Sequence, residues 1–113
     1  MTFSLEVKDN IVFLGIQGDL LGVKEEQKIL DSIKSDVKED IIKCSVDISE
    51  VGYMNSTGLS LLIRLLTFFR NKGGDLVLIK PSEQVRKLLV ITKLNAIFTV
   101  AEDQASAVAA LNR

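Results

Sequence analysis

The sequence predicts an α/β fold with a single mixed β-sheet that opens with a β-hairpin and carries its helices mainly on one side. Three observations lead to this prediction. Two strand-like stretches follow each other directly at the start, three further apolar stretches alternate with amphipathic ones, and 113 residues suit one hydrophobic core. The predicted order is β-β-α-β-α-β-α-β-α, with right-handed crossovers between the parallel strands. We expect one domain over residues 1–113.

The opening hairpin is indicated by alternation and by a turn. Apolar and polar residues alternate over residues 3–7, Asp9-Asn10 provides the turn, and residues 11–16 form a more apolar second strand. The later elements are predicted as helices over about 23–33, 56–70, 82–91 and 103–111, and as strands over 41–48, 76–79 and 97–100. Gly73-Gly74 is expected to end the second helix with a left-handed cap.

The composition argues against several classes of function. The chain has no histidine, one cysteine and a formal net charge of −1. Without histidine, a catalytic triad with an imidazole base is excluded and the commonest metal ligand is missing. No basic stripe is present, so we do not expect nucleic-acid binding. We therefore expect a protein that is not an enzyme, with no catalytic residue, no cofactor and no metal site.

Location is predicted from the cysteine count and from hydropathy. The single cysteine, Cys44, lies in an apolar run and is predicted to be buried. One cysteine cannot form an internal disulfide, which agrees with a reducing cytoplasm. The first residues include no apolar stretch that fits a signal peptide, so we expect no targeting segment. The longest apolar run, residues 59–69, is too short to span a bilayer. We expect a cytoplasmic protein without direct membrane insertion.

The most informative segment is Asn55-Ser56-Thr57-Gly58, between an apolar strand and an amphipathic helix. Asn, Ser and Thr are ordinary N-cap residues, so one interpretation is a structural cap. A helix start also has free N–H groups and a partial positive charge, which would stabilise a phosphoryl group on Ser56. Both interpretations stay open here, because a cap and a phosphorylation site are compatible.

A second loop should lie beside this segment. In parallel β-α units, the loops that follow the strands meet at the same edge of the sheet. Residues 20–23 should therefore lie near Met54 and Leu59 and form an apolar protein-binding face with them. The alternative is that Leu20 or Leu21 fills the core instead.

Residues 47–59, Asp-Ile-Ser-Glu-Val-Gly-Tyr-Met-Asn-Ser-Thr-Gly-Leu, resemble the signature of the STAS domain of bacterial anti-sigma factor antagonists. The resemblance extends over nearly the whole chain and implies the STAS fold. It also implies binding to a kinase-type anti-sigma factor, phosphorylation of Ser56 by that serine-protein kinase, and dephosphorylation by a serine phosphatase. Thr57 is the weaker candidate acceptor. The partner-binding residues that we expect are Asp19, Leu20, Leu21, Val23, Met54, Asn55, Thr57, Gly58 and Leu59.

Two positions differ from the family pattern. Asn55 stands where the family usually has Asp before the serine, and Leu21 stands where it often has another Asp. Both changes remove negative charge beside Ser56, so a phosphate would be repelled less, while a kinase that orients on those carboxylates would lose them. A neutral loop also fits an alternative function, a STAS-like static accessory subunit of a membrane transporter ATPase.

Overall fold

In the described backbone, five strands and four α-helices follow one another in the predicted order. The computed structural model describes the backbone of residues 1–113 and every side chain except that of Val23. The elements are β1 (Thr2–Lys8), β2 (Ile11–Gln17), α1 (Val23–Asp36), β3 (Lys43–Glu50), α2 (Ser56–Asn71), β4 (Asp75–Ile79), α3 (Glu83–Ile91), a 3₁₀ turn (Leu94–Ala96), β5 (Thr99–Ala101) and α4 (Gln104–Leu111).

The first two strands form the predicted hairpin. β1 pairs antiparallel with β2, and Lys8 lies opposite Ile11, which leaves two residues in the turn. These residues, Asp9 and Asn10, have φ angles of 54° and 63°. Positive φ at both positions is what a type I′ turn requires, and Asn and Asp tolerate it better than most residues. The turn therefore fixes the register of the hairpin.

One mixed sheet contains all five strands in the order β1-β2-β3-β4-β5. Every pair after the hairpin is parallel. Val12, Cys44 and Leu76 lie side by side on three neighbouring strands. Because these strands run in the same direction, the loops that follow β2, β3 and β4 meet at one edge of the sheet. The candidate site lies at this edge.

The helices lie on both faces of the sheet, three on one and one on the other. α1, α2 and α3 bury the larger apolar cluster, which includes Val46, Leu62 and Leu89. α4 covers the opposite face, where Val77 packs with Ala107 and other small or branched residues. The strands supply both clusters because successive side chains point to opposite faces. The prediction that the helices lie mainly on one side is confirmed.

An ion pair joins α1 to α2 beside the larger cluster. The guanidinium of Arg64 lies 3.1 Å from Oε1 of Glu26. The Glu26 side chain is nearly buried, whereas that of Arg64 is mostly exposed. The contact is an ion pair rather than a well-directed hydrogen bond, since Oε1 has no partner of hydrogen-bonding geometry among the described residues. The buried carboxylate therefore depends on Arg64 for its charge compensation.

Predicted and observed boundaries differ by two or more residues in three elements: α1 continues to Asp36 instead of ending near residue 33, β3 covers Lys43–Glu50 instead of 41–48, and the last strand starts later. The sequence predicts it over residues 97–100, but β5 covers Thr99–Ala101. The backbone N–H groups of Ile97 and Phe98 both donate to the carbonyl of Leu94. These bonds continue the turn for two residues and delay the strand. At the end of α2, Gly73 has a φ of 87° and forms the predicted left-handed cap, whereas Gly74 does not share that conformation.

Candidate functional site

Asn55 caps the start of α2. Its backbone is extended, with φ −100° and ψ −171°, and its side chain accepts a hydrogen bond from the backbone N–H of Gly58. The distance from Oδ1 to that nitrogen is 3.0 Å. The cap is thus the amide of Asn55, and the two hydroxyls that follow it are not used for this bond. Ser56 is the first residue of the helix.

The position of Ser56 suits an added anionic group. Its side chain is exposed, whereas that of Thr57 is half-buried. The first turn of α2 has no acidic residue, and the first backbone N–H groups of a helix have no partner within the helix. A phosphate at this position would meet the positive end of the helix dipole without a neighbouring carboxylate in that turn. Between the two hydroxyls, exposure favours Ser56 over Thr57.

The loop after β2 runs directly beside the loop after β3. Leu20 pairs with Met54 in an isolated parallel bridge, and the N–H of Leu20 donates to the carbonyl of Tyr53 at 3.0 Å. The amide nitrogen of Asn55 donates to the carbonyl of Leu21 at 3.1 Å. The predicted meeting of the two loops is therefore present, and backbone and side-chain bonds hold it.

The expected apolar face is only partly on the surface. Leu20, Met54 and Leu59 are 0%, 2% and 6% exposed, so the expectation that they form an exposed patch is wrong. The bridge between the loops turns the side chains of Leu20 and Met54 into the core, and Leu59 follows them on the inner face of α2. The alternative of a core-filling leucine is correct for Leu20 but not for Leu21, which is 45% exposed.

Asp19 and Val23 are two further residues that the sequence suggested for partner binding. Asp19 is exposed at the start of the loop after β2. The predicted contribution of Val23 concerns its side chain, which lies outside the described residues. Neither the hydrogen bonds nor the burial of the described residues therefore assigns a role to Val23.

Gly58 permits the close approach of the two loops. A Cβ atom at this position would collide with the backbone carbonyl oxygen of Leu20 and would lie 3.1 Å from Cβ of Met54. Because Gly58 is buried, we assign it no direct contact with a partner. It instead allows the helix start to pack against Leu20.

A groove beside the loop was not predicted from the sequence. Tyr53 and Met54 line an open groove of about 260 Å³ together with side chains of α3, including Lys87, Leu88 and Ile91. Tyr53 is 52% exposed and Ile91 is 77% exposed. A signal existed in the sequence, because residues 88–91 are four consecutive apolar residues, which cannot all face inward from a short surface helix.

The remaining chemistry of the described residues is limited. Burial raises the pKa of the Cys44 thiol well above its usual range, so the thiol stays protonated and unreactive. The prediction that Cys44 is buried is confirmed. Within the described residues, no group of three or more His, Cys, Asp or Glu side chains is arranged to hold a metal ion. The described helices include none that is long and apolar enough to cross a membrane.

Comparisons with known proteins agree on one family. The STAS domain matches residues 2–107. An anti-sigma-B factor antagonist of Listeria monocytogenes is 30% identical over 105 residues, which is 88% of this chain and 90% of that protein. A candidate anti-sigma factor antagonist from Thermotoga maritima has a similar structure, with a TM-score of 0.87 and 20% identity over 98% of this chain and 95% of the other. The phosphorylated form of the Bacillus cell fate determinant SpoIIAA has a TM-score of 0.65 and 22% identity, with 90% and 93% of the two chains covered.

Proposed function

Because the chain belongs to the STAS-domain family of anti-sigma factor antagonists, we propose that it binds a kinase-type anti-sigma factor and is released when Ser56 is phosphorylated. The observation that carries this proposal is the placement of Ser56. Its side chain is exposed at the first position of a capped helix, and two exposed apolar residues lie in the adjoining loops. Tyr53 lies three residues before it, and Leu21 is bonded through its carbonyl to Asn55, the residue before Ser56.

The partner-binding surface in this proposal consists of Leu21, Tyr53 and the α3 groove. Leu21 is one of the residues that the sequence suggested, and Tyr53 takes the place of the suggested residues that are buried. Leu88 and Ile91 extend the apolar surface along α3. We call these four residues the docking surface. Leu20, Met54 and Leu59 are buried in the core at the start of α2, so their role in this proposal is to support the helix start.

The mechanism is electrostatic and steric. A phosphate on Ser56 carries about −1.5 to −2 charges at neutral pH. A partner that covers Leu21 and Tyr53 would have to remove water from this charge, which is costly unless the partner supplies a cation. A coupling free energy of about 1–3 kcal/mol, common for such switches, corresponds to about 5- to 150-fold weaker binding. A serine phosphatase would restore the binding-competent form.

The test uses purified protein and the kinase-type anti-sigma factor encoded by the same organism. Incubation with ATP, followed by peptide mass spectrometry, identifies the modified residue, and calorimetry measures the affinity of each variant. We expect Ser56→Ala to bind as the wild type does and to resist phosphorylation, and Ser56→Asp to bind about 5- to 150-fold more weakly.

The matched control is Ser60→Asp. Ser60 is also exposed on α2 and lies one helical turn after Ser56. The Ser60→Asp substitution adds the same charge as Ser56→Asp but farther from the loop, so it should weaken binding much less than Ser56→Asp does. Equal affinity of the wild type, Ser56→Ala and Ser56→Asp would contradict the switch and would support the static accessory subunit instead.

A further inference from the structure

We propose that Asn55 is a positioning residue that fastens the loop after β2 to the start of α2, so that Leu21 and Ser56 form one rigid surface. The amide makes two hydrogen bonds in opposite directions. Oδ1 accepts from the N–H of Gly58 at 3.0 Å, and Nδ2 donates to the carbonyl of Leu21 at 3.1 Å. One side chain therefore connects two segments that are more than thirty residues apart in the sequence.

Asparagine is the N-cap residue that can make both bonds. An ionised aspartate accepts hydrogen bonds only, so it could cap Gly58 but would place negative charge against the carbonyl oxygen of Leu21. A serine hydroxyl can also cap the helix, but its single oxygen lies on a shorter side chain and cannot connect both segments. The requirement for both bonds explains the neutral amide at this position.

The loop after β2 needs a side-chain hydrogen bond at Leu21, because its backbone pairing ends before this residue. Up to Leu20 it is held by backbone bonds, through the bridge to Met54 and the N–H bond to Tyr53. After Leu21 the chain enters α1 through Gly22, an N-cap without a side-chain hydrogen bond. Glycine adds no side chain that could restrict the backbone there. The bond from Asn55 therefore orients the exposed Leu21 at the point where backbone pairing has ended.

The consequence for binding is preorganisation. Ordering a flexible loop opposes association, so a surface that is already fixed binds its partner more tightly. The link to partner binding rests on the function proposed above, whereas the fastening of the loops is a property of the free protein. The two statements can therefore be tested separately.

The first test measures the free protein by NMR relaxation. Asn55→Ser and Asn55→Asp both retain an N-cap but lose the donor to Leu21. We expect the backbone order parameters of Leu21 and Gly22 to fall from a rigid value of about 0.85 to below about 0.6 in both variants. The amides of the first turn of α2 should keep their order, because the cap remains. Unchanged order at Leu21 and Gly22 in both variants would overturn the proposal.

A pH series separates positioning from a general loss of structure. The carboxyl group that Asn55→Asp introduces has both a donor and an acceptor once it is protonated. In this variant, the order of Leu21 should therefore recover as the pH falls through the carboxyl range near 4. The wild type and Asn55→Ser should show no such recovery. A change in Asn55→Asp alone, with Asn55→Ser like the wild type, would identify charge as the cause and would refute the fastening.

The second test measures affinity for the anti-sigma factor. We expect both variants to bind about 3- to 10-fold more weakly than the wild type, as for the loss of one hydrogen bond. Loss of loop order together with wild-type affinity would refute the role in binding. If the wild type itself does not bind, the proposed function fails, while the NMR result still decides whether Asn55 fastens the loops.

Discussion

Replacing Gly58 with alanine is expected to destabilise the domain and to move the two loops of the site apart. The added Cβ would collide with the carbonyl oxygen of Leu20 and would lie 3.0 Å from Cγ of the same residue. This oxygen cannot easily move, because Leu20 is bonded to Tyr53 and paired with Met54. Overpacking of this kind costs about 1–3 kcal/mol, and the higher helix propensity of alanine returns up to about 1 kcal/mol. Because the obstructing atom is a backbone oxygen that is held in place, we expect a cost in the upper part of that range, about 2–3 kcal/mol. After a return of about 1 kcal/mol from helix propensity, the net loss is about 1–2 kcal/mol.

Urea unfolding followed by circular dichroism provides the assay for Gly58→Ala. The matched control is Ser60→Ala on the same helix, where the side chain is exposed and the change should stay within about 0.5 kcal/mol. The slope of the unfolding curve should be the same for all three proteins, so that the midpoints report stability. A Gly58→Ala protein as stable as the wild type would refute the argument that this glycine is required for the close approach.

The other predictions concern the docking surface and two charged groups. Leu21→Ser and Tyr53→Ala should each weaken binding to the anti-sigma factor, as measured by calorimetry. In urea unfolding, each should change the free energy of unfolding by less than about 0.5 kcal/mol. A loss of stability without a loss of affinity would contradict the assignment of these residues to the docking surface. Arg64→Ala should destabilise the domain by about 1–3 kcal/mol in urea unfolding, because it leaves the buried carboxylate of Glu26 unpaired. In a Glu26→Gln background, Arg64→Ala should lose most of this destabilising effect, because no charge is left unpaired. A backbone N–H of α4 bonds to Asp103 and lowers the pKa of its carboxyl below the ordinary 3.8. The ionised carboxylate therefore contributes stability above the ordinary pKa, and this contribution is lost as the pH falls through the lowered pKa. Asp103→Asn should accordingly reduce the pH dependence of the free energy of unfolding below about pH 4. An unchanged pH profile would show that Asp103 is not the source of this dependence.

The order of the elements was predictable because strong local signals coincided. Strict alternation and the Asp9-Asn10 turn identified the hairpin, and apolar runs separated by amphipathic segments identified the β-α units. The start of β5 was missed because bonds to the carbonyl of Leu94 extend a short turn. Such a turn depends on three or four residues and has no hydrophobic period that could reveal it.

The location of the site was predictable, but the direction of its side chains was not. The meeting of the loops follows from the rule that parallel strands end at one edge. Leu20 and Leu21 are chemically identical neighbours in a loop, where no period of two or 3.6 residues separates inside from outside. Their different burial is set by tertiary contacts, such as the bridge from Leu20 to Met54, which the local sequence does not reveal.

The division between buried support and exposed surface bears on how a phosphate at Ser56 would act. Leu20, Met54 and Gly58 lie beneath the helix start and are fully or nearly fully buried, so a charge on the exposed hydroxyl need not disturb their packing. The free N–H groups of the first turn would stabilise that charge in the folded protein. Phosphorylation of Ser56 should therefore leave the domain folded and lower only its affinity for a partner. A switch of this kind is reversible, since removing the phosphate restores a surface whose support has not changed.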